Sequence, residues 1–166
     1  MTHRDLLLLV DYHYWARDRM LAALDPLPAG DYVRPLGNSF GSIRDTAVHI
    51  FFAEWAWLNR WHGVSPTAPL DAEDYPDVAA LRARWLDHEA RLRGFIGGLD
   101  DAGVTRRIVY KLLSGTESES AIWTMVQHVV NHASYHRGQV TTMVRQVGGE
   151  APRPQDLIAF YRERGI

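Results

Sequence analysis

The chain has 166 residues, of which 46% are hydrophobic and 23% charged, and this predicts one globular domain over residues 1–166. Its 18 Lys and Arg residues and 20 Asp and Glu residues give a net charge of −2, which argues against a nucleic-acid binder with a basic footprint. The chain has no cysteine, which excludes disulfides, a thiolate nucleophile and Cys-ligated metals, so a transition-metal site must use imidazole and carboxylate ligands.

The amino-terminal segment carries no targeting pattern. Its apolar run from Leu6 to Val10 is too short for the core of a signal peptide or for a membrane span. We therefore expect a cytoplasmic protein that does not act at a membrane.

The first half of the chain contains two long helical patterns. Thr2 and Asp5 cap a predicted helix over residues 2–24, and two prolines follow it. Ser42 opens a second predicted helix that ends at Gly63. This second pattern is apolar nearly all round, so we expect it to be the most buried element.

The second half contains two more helical patterns with a hairpin between them. Apolar residues and one histidine at alternating spacings of four and three predict a helix over residues 77–96. β-Favouring residues on both sides of Ser114 and Gly115 predict a short two-stranded hairpin. A fourth helix is predicted over residues 120–147, followed by a short terminal helix. Four amphipathic helices with little strand predict an all-α, four-helix bundle.

The fourth helix carries the densest chemical signal. His128, His132 and His136 are each four residues apart, so each lies one turn along and about 40° round from the previous one. Either adjacent pair could chelate one metal ion from a single face. No H-E-x-x-H or E-x-x-H pattern occurs, which argues against a zincin and against a di-iron carboxylate site. The best candidate for a third ligand is His49, which has small alanines on its face of the second helix.

Other polar and aromatic residues have two interpretations each. His13 and His88 are interpreted first as hydrogen-bonded core residues, and alternatively as pocket residues from which one could shuttle a proton. Arg137 and Gln139 either support a metal ligand or tether a loop, and Arg137 could equally form a salt bridge in helix packing. Trp57 belongs to a tryptophan cluster for which core or interface packing is favoured over a ligand pocket.

Several segments resemble the DinB family, the DNA-damage-inducible proteins of the DinB/YfiT-like superfamily. HVVNHASYHRGQV, residues 128–140, resembles the family's fourth-helix signature, and SIRDTAVHIFFAEWAWLNRWHG, residues 42–63, resembles its second-helix motif. The first helix, the hairpin and the tail are also similar, so the resemblance covers nearly the whole chain in order. It implies a bundle of up-down-down-up topology, commonly a homodimer, with one divalent ion held by three histidines.

Carried onto this sequence, the resemblance implies that His49, His132 and His136 hold the ion and that His128 is a neighbour. Zn²⁺ or Ni²⁺ is favoured over iron or manganese. His13 stands where such sequences often have asparagine, which could enlarge the ligand set or alter the pocket wall. Some family members resemble thiol S-transferases that use low-molecular-weight thiols, and others resemble metal-dependent hydrolases or isomerases.

We therefore expect a metal-dependent thiol S-transferase or hydrolase that acts on a small molecule. Because the chain has no cysteine, any reacting thiol must arrive as a cosubstrate. The alternative is a non-catalytic, stress-related protein in which four protein ligands close the site and the ion is structural. Nucleic-acid binding is a third hypothesis, and the charge balance argues against it.

Overall fold

The chain is mostly helical, with one small hairpin. A computed structural model describes all of residues 1–166 and contains seven α-helices, a 3₁₀ helix at Ala72–Asp74 and one antiparallel pair of strands. The helices are α1 (His3–Leu24), α2 (Ala29–Val33), α3 (Ile43–Trp61), α4 (Val78–Gly97), α5 (Asp101–Thr105), α6 (Ile122–Gln146) and α7 (Leu157–Arg164). The strands are β1 (Arg107–Lys111) and β2 (Glu117–Ala121). The helical fold class, the hairpin before the fourth long helix and the short terminal helix are confirmed.

Local sequence sets where the long helices begin and end. The Thr2 side chain accepts a hydrogen bond from the amide of Asp5 at 3.2 Å, and the Asp5 side chain accepts one from the amide of Thr2 at 2.8 Å. This reciprocal pair is the predicted cap of α1. Ser42 Oγ accepts a hydrogen bond from the amide of Asp45 at 3.1 Å and caps α3 without the reciprocal bond. Gly63, with φ of 85°, follows the end of α3.

The fourth long helix begins later than predicted. Ser120 and Ala121 belong to β2, because their backbones pair with Ile108 and Arg107 of β1. The hairpin therefore runs directly into α6. Its β1 strand is also tied to the loop after α3, since Ser65 Oγ accepts the amide of Lys111 at 2.9 Å.

The four long helices pack as a bundle in which α3 is the most buried. α1 and α3 each pack against both α4 and α6, so α1 and α3 occupy opposite corners of the bundle. About two-thirds of the residues in α3 are buried, a larger share than in α1, α4 or α6, as its apolar sequence predicts. None of the helices combines the length and the apolarity that crossing a bilayer requires. The up-down-down-up order stays a prediction.

The core contains a fully buried carboxylate, that of Glu54 in α3. Its Oε2 accepts hydrogen bonds from His13 Nε2 at 2.7 Å and from Trp85 Nε1 at 2.8 Å, and its Oε1 accepts one from the Tyr14 hydroxyl. His88 Nε2 lies 3.4 Å from Oε1. Burial alone would raise the pKa of Glu54, but the surrounding donors, His13 first, hold it below its ordinary value. One carboxylate thus links α1, α3 and α4.

Replacing Glu54 with alanine tests this link. The change leaves the polar groups of His13, Tyr14 and Trp85 buried without their acceptor, so we expect the free energy of unfolding to fall by about 3–5 kcal/mol. Glu119→Ala removes an exposed carboxylate that pairs with Arg107 at 2.7 Å, and should cost about 1 kcal/mol or less. Urea denaturation measures both variants, and equal losses would contradict the role of Glu54.

Candidate metal centre

Three imidazoles from two helices meet at one side of α3. His49 of α3 and His132 and His136 of α6 each offer one ring nitrogen, and these nitrogens lie within 4.8 Å of one another. His49 Nε2 and His132 Nε2 are 3.0 Å apart. Zn–N bonds of about 2.0–2.1 Å place two ligand nitrogens of a tetrahedral ion roughly 3.3 Å apart. The residues present therefore fit a divalent ion.

The structure distinguishes between the two histidine pairs that the spacing on the fourth helix left open. The rings of His132 and His136 have centroids 4.3 Å apart, and His49 lies 4.8 Å from the first and 4.6 Å from the second. His128 lies one turn earlier, with its ring centroid 5.6 Å from that of His132, and is not part of the cluster. The cluster thus contains the later pair.

Neighbouring side chains orient two of the three rings. Gln139 Oε1 accepts a hydrogen bond from His136 Nδ1 at 2.7 Å, which leaves the lone pair on Nε2. The ring of Phe40 stacks on that of His49 at 3.9 Å with an interplanar angle of 21°. His132 Nδ1 is buried without a hydrogen-bond partner. Gln139 therefore occupies the supporting position that the sequence suggested for it.

Burial keeps two of the imidazoles neutral. It lowers the pKa of His49 to about 4, with a further contribution from the nearby His136. It also lowers the pKa of His132 to about 3, and the neighbouring histidines lower it further. A metal competes with protons for the imidazole lone pair, so neutral rings are ready to bind an ion at neutral pH.

An open cleft of about 440 Å³ adjoins the cluster. Its wall on α3 includes Ala53, Ala56 and Trp57, its wall on α6 includes His128, and the hairpin tip 112–114 forms its rim. The two alanines leave the space that the sequence suggested. His128 and Trp57 line the cleft, and no residue of α1 or α4 does.

Three other candidates lie elsewhere. His13 and His88 pack around the buried carboxylate of the core, and neither lines the cleft. Arg137 is buried and donates to Ser134 Oγ at 2.8 Å and to the Tyr12 hydroxyl at 3.3 Å. It forms none of the salt bridges in the chain, so the salt-bridge interpretation is not what the structure shows. Its contacts tie α6 to α1.

Sequence reasoning missed several residues at this site. Phe40 lies in the loop before α3, and the hairpin tip with Leu112 and Leu113 is distant in sequence, so neither carried a local signal. Arg60 had one, because eleven residues after His49 correspond to about three helical turns with an offset of only about 20°. The two side chains therefore share a face of α3.

The fold and the site together define a helix-bundle protein with a three-histidine cluster that could hold a metal ion. The model of the DinB family matches residues 1–162. Protein DinB of Bacillus subtilis (strain 168) is 23% identical over 160 residues, which cover 92% of each chain. The crystal structure of a DinB-like protein from Bacillus cereus ATCC 10987 has a TM-score of 0.62 at 17% identity, covering 88% of this chain and 95% of that one. The chain belongs to the DinB family, which confirms the resemblance.

Alanine substitutions test the cluster as a metal site. Removing the ring of His49, His132 or His136 deletes one of three donors, so we expect the affinity for Zn²⁺ to fall by about 100-fold or more. His128→Ala is the matched control, one turn away on α6, and should change the affinity only a few-fold. Competition with a chromophoric chelator measures each affinity. Equal losses in the control and in His132→Ala would exclude this ligand set.

The lowered pKa values also predict how acid affects the metal-free protein. The histidines of the unfolded chain have a pKa of about 6.5, so on acidification they bind protons before His49 and His132 do in the folded state. The stability that these two residues contribute is complete above about pH 7 and falls as the pH drops toward about 4. Urea unfolding with a chelator at about pH 5 and pH 7 should show a smaller pH dependence in His132→Gln than in the wild type. If the free energy of unfolding changed equally with pH in both proteins, the neutral, buried state of this ring would be contradicted.

Proposed function

We propose that this protein is a metal-dependent enzyme that acts on a small molecule in the cleft beside His49, His132 and His136. The observation that supports this most strongly is the meeting of three imidazole nitrogens, two of which belong to His49 and His132 in the wall of an open cleft. Structural zinc sites close with four protein ligands, whereas catalytic sites use three and keep one position open. No Asp, Glu or further His joins the three.

The three-histidine donor set favours some metals over others. Three imidazoles without a carboxylate suit Zn²⁺ or Ni²⁺ better than manganese, which prefers oxygen ligands, and we place iron behind both. An ion of this kind, when bound, lowers the pKa of a water or thiol that it coordinates.

The chain's own side chains orient the ligand rings and shield a molecule in the cleft from water. Gln139 fixes the ring of His136 through its Nδ1, so that the opposite nitrogen faces the cluster. Phe52, Trp57 and the apolar hairpin tip, 112–113, line the cleft and exclude water from one side of a bound molecule. His13 lies outside the cleft, so the proposal gives it no part in proton transfer.

The chain supplies no thiol, and this selects the reaction class. Without cysteine, the attacking group is either water or a low-molecular-weight thiol that enters with the electrophile. We therefore propose a thiol S-transferase or a hydrolase. A homodimer in the cytoplasm, without nucleic-acid or membrane partners, completes the proposal.

The alternative function is a stress-related protein in which the ion only stabilises the fold. This requires a fourth protein ligand, and the nearest imidazole outside the cluster is that of His128, with its ring centroid 5.6 Å from that of His132. The two functions therefore differ in whether an added anion or thiol changes the spectrum of a cobalt-substituted protein. An unchanged spectrum would favour the structural ion.

Activity measurements test the enzyme. We expect the zinc- or nickel-loaded protein to join a low-molecular-weight thiol to an aryl halide, or to hydrolyse an activated ester. Chelation or His132→Ala should reduce the rate by about 100-fold or more, because the metal contributes several kcal/mol to such reactions. His62→Ala, at an exposed helix end, should keep the wild-type rate. Activity that survives chelation, or a loaded protein without any of these activities, would contradict the proposal.

A further inference from the structure

Arg60 of α3 is a buried cation without an anionic partner. Arg60 is only 6% exposed, and its Nε is enclosed without a hydrogen bond. None of the chain's salt bridges involves it. Its guanidinium lies over the rings of Trp57 and Tyr110, 4.6 and 5.5 Å from their centroids. Burial lowers the pKa of Arg60, which is the direction expected for a charge that nothing in the chain compensates.

Other buried arginines of the chain have polar partners. Arg17, 2% exposed, binds Asp18 at 2.7 Å and Glu89 at 2.6 Å. Arg137 also lacks an anionic partner, and its Nε and one terminal nitrogen are enclosed without a hydrogen bond, but its other terminal nitrogen donates to two hydroxyl groups. Burying an unpaired charge is costly, so a protein that keeps one there gains something from it. Aromatic rings alone hold Arg60, and they leave its hydrogen-bond donors free.

The position of Arg60 connects it with the histidine cluster. It lines the same cleft as His49 and His132, eleven residues after His49, which is about 16 Å farther along the axis of α3. Ala53 and Ala56 lie between the two positions and keep the cleft open. Of the guanidinium nitrogens only Nε is enclosed without a partner, so the terminal nitrogens are the donors that a molecule in the cleft could reach. No Asp or Glu lines it.

We propose that Arg60 binds a carboxylate of the molecule that occupies this cleft, while the opposite end of that molecule lies toward His49 and His132. The two terminal nitrogens form the fork that matches a carboxylate. The apolar side chains between the two ends, Trp57 among them, suit an apolar or aromatic body. The preferred ligand class is therefore an elongated carboxylate. Only the placement of the opposite end of the molecule toward the histidines rests on the proposed function.

A matched pair of probes tests the contact directly. 4-Phenylbutyrate and 4-phenylbutyramide have the same ring and length and differ in charge. Titration calorimetry is carried out on the full chain, both stripped with a chelator and loaded with Zn²⁺. We expect the metal-free wild type to bind the acid about 10-fold or more tightly than the amide, because a charge-assisted hydrogen bond is roughly twice as strong as a neutral one.

Variants assign this preference to one residue. Arg60→Gln should bind acid and amide equally, and Arg60→Lys, which keeps the charge but loses the fork, should keep a smaller preference. Arg84→Gln is the control, because it removes the same charge from an exposed position on α4 and should leave the preference unchanged. Circular dichroism checks that each variant is folded. If Arg60→Gln does not fold, a smaller preference for the acid in Arg60→Lys than in the wild type still assigns the preference to Arg60, and an equal one contradicts it.

The possible results separate this inference from the proposed function. Equal binding of acid and amide by the metal-free wild type would overturn the inference, and so would a preference that persists in Arg60→Gln. A preference seen only with Zn²⁺ would assign the carboxylate to the metal and would also overturn it. A preference that depends on Arg60 in the metal-free protein supports the inference even if the loaded protein shows no turnover, which would contradict only the proposed function.

Discussion

The hydrogen-bonded carboxylate of Glu54 determines how α3 is rotated in the bundle. Its donors come from α1 and α4, so the residue must point toward those helices. His49 lies five positions earlier, which is about 140° round the helix. Turning Glu54 into the core therefore turns His49 away from it, toward α6 and the cleft. The position of the histidine cluster therefore depends on a contact made on nearly the opposite side of the same helix.

This arrangement separates the charges of the molecule. The core side of α3 holds an ionised carboxylate that is tolerated because His13, Tyr14 and Trp85 satisfy its oxygens. The cleft side holds imidazoles that burial keeps neutral, together with the cation of Arg60. If a carboxylate of the chain faced the cleft, it would pair with the Arg60 cation, and it would compete with a bound molecule for any metal ion. The bundle thus keeps its buried acid out of reach of the site.

Local spacing predicted the long helices and two candidate histidine pairs on the fourth helix, whereas the choice of His132 and His136 with His49 came from the family resemblance. His132 and His136 are one turn apart on any helix, and the apolar stretch around His49 is a helix in almost any fold. Glu54 was missed, since one acidic residue in an apolar helix carries no period, and its partners come from two other helices. The hairpin tip was missed for a related reason. Its strands were recognisable, but nothing local indicates that the turn would reach the cleft beside α3 and α6.

The choice of neutral ligands has an electrostatic consequence for what the cleft binds. An ion held by His49, His132 and His136 keeps its whole double charge, because none of the three brings a negative charge to offset it. Arg60 adds a further positive charge in the same cleft, and no acidic side chain lines it. An anion in the cleft therefore favours metal binding, and the metal favours the anion to the same degree, because coupling between two bound ligands is reciprocal. A carboxylate bound near Arg60 would thus offset part of the positive charge that opposes a divalent ion at three ligands that are uncharged themselves.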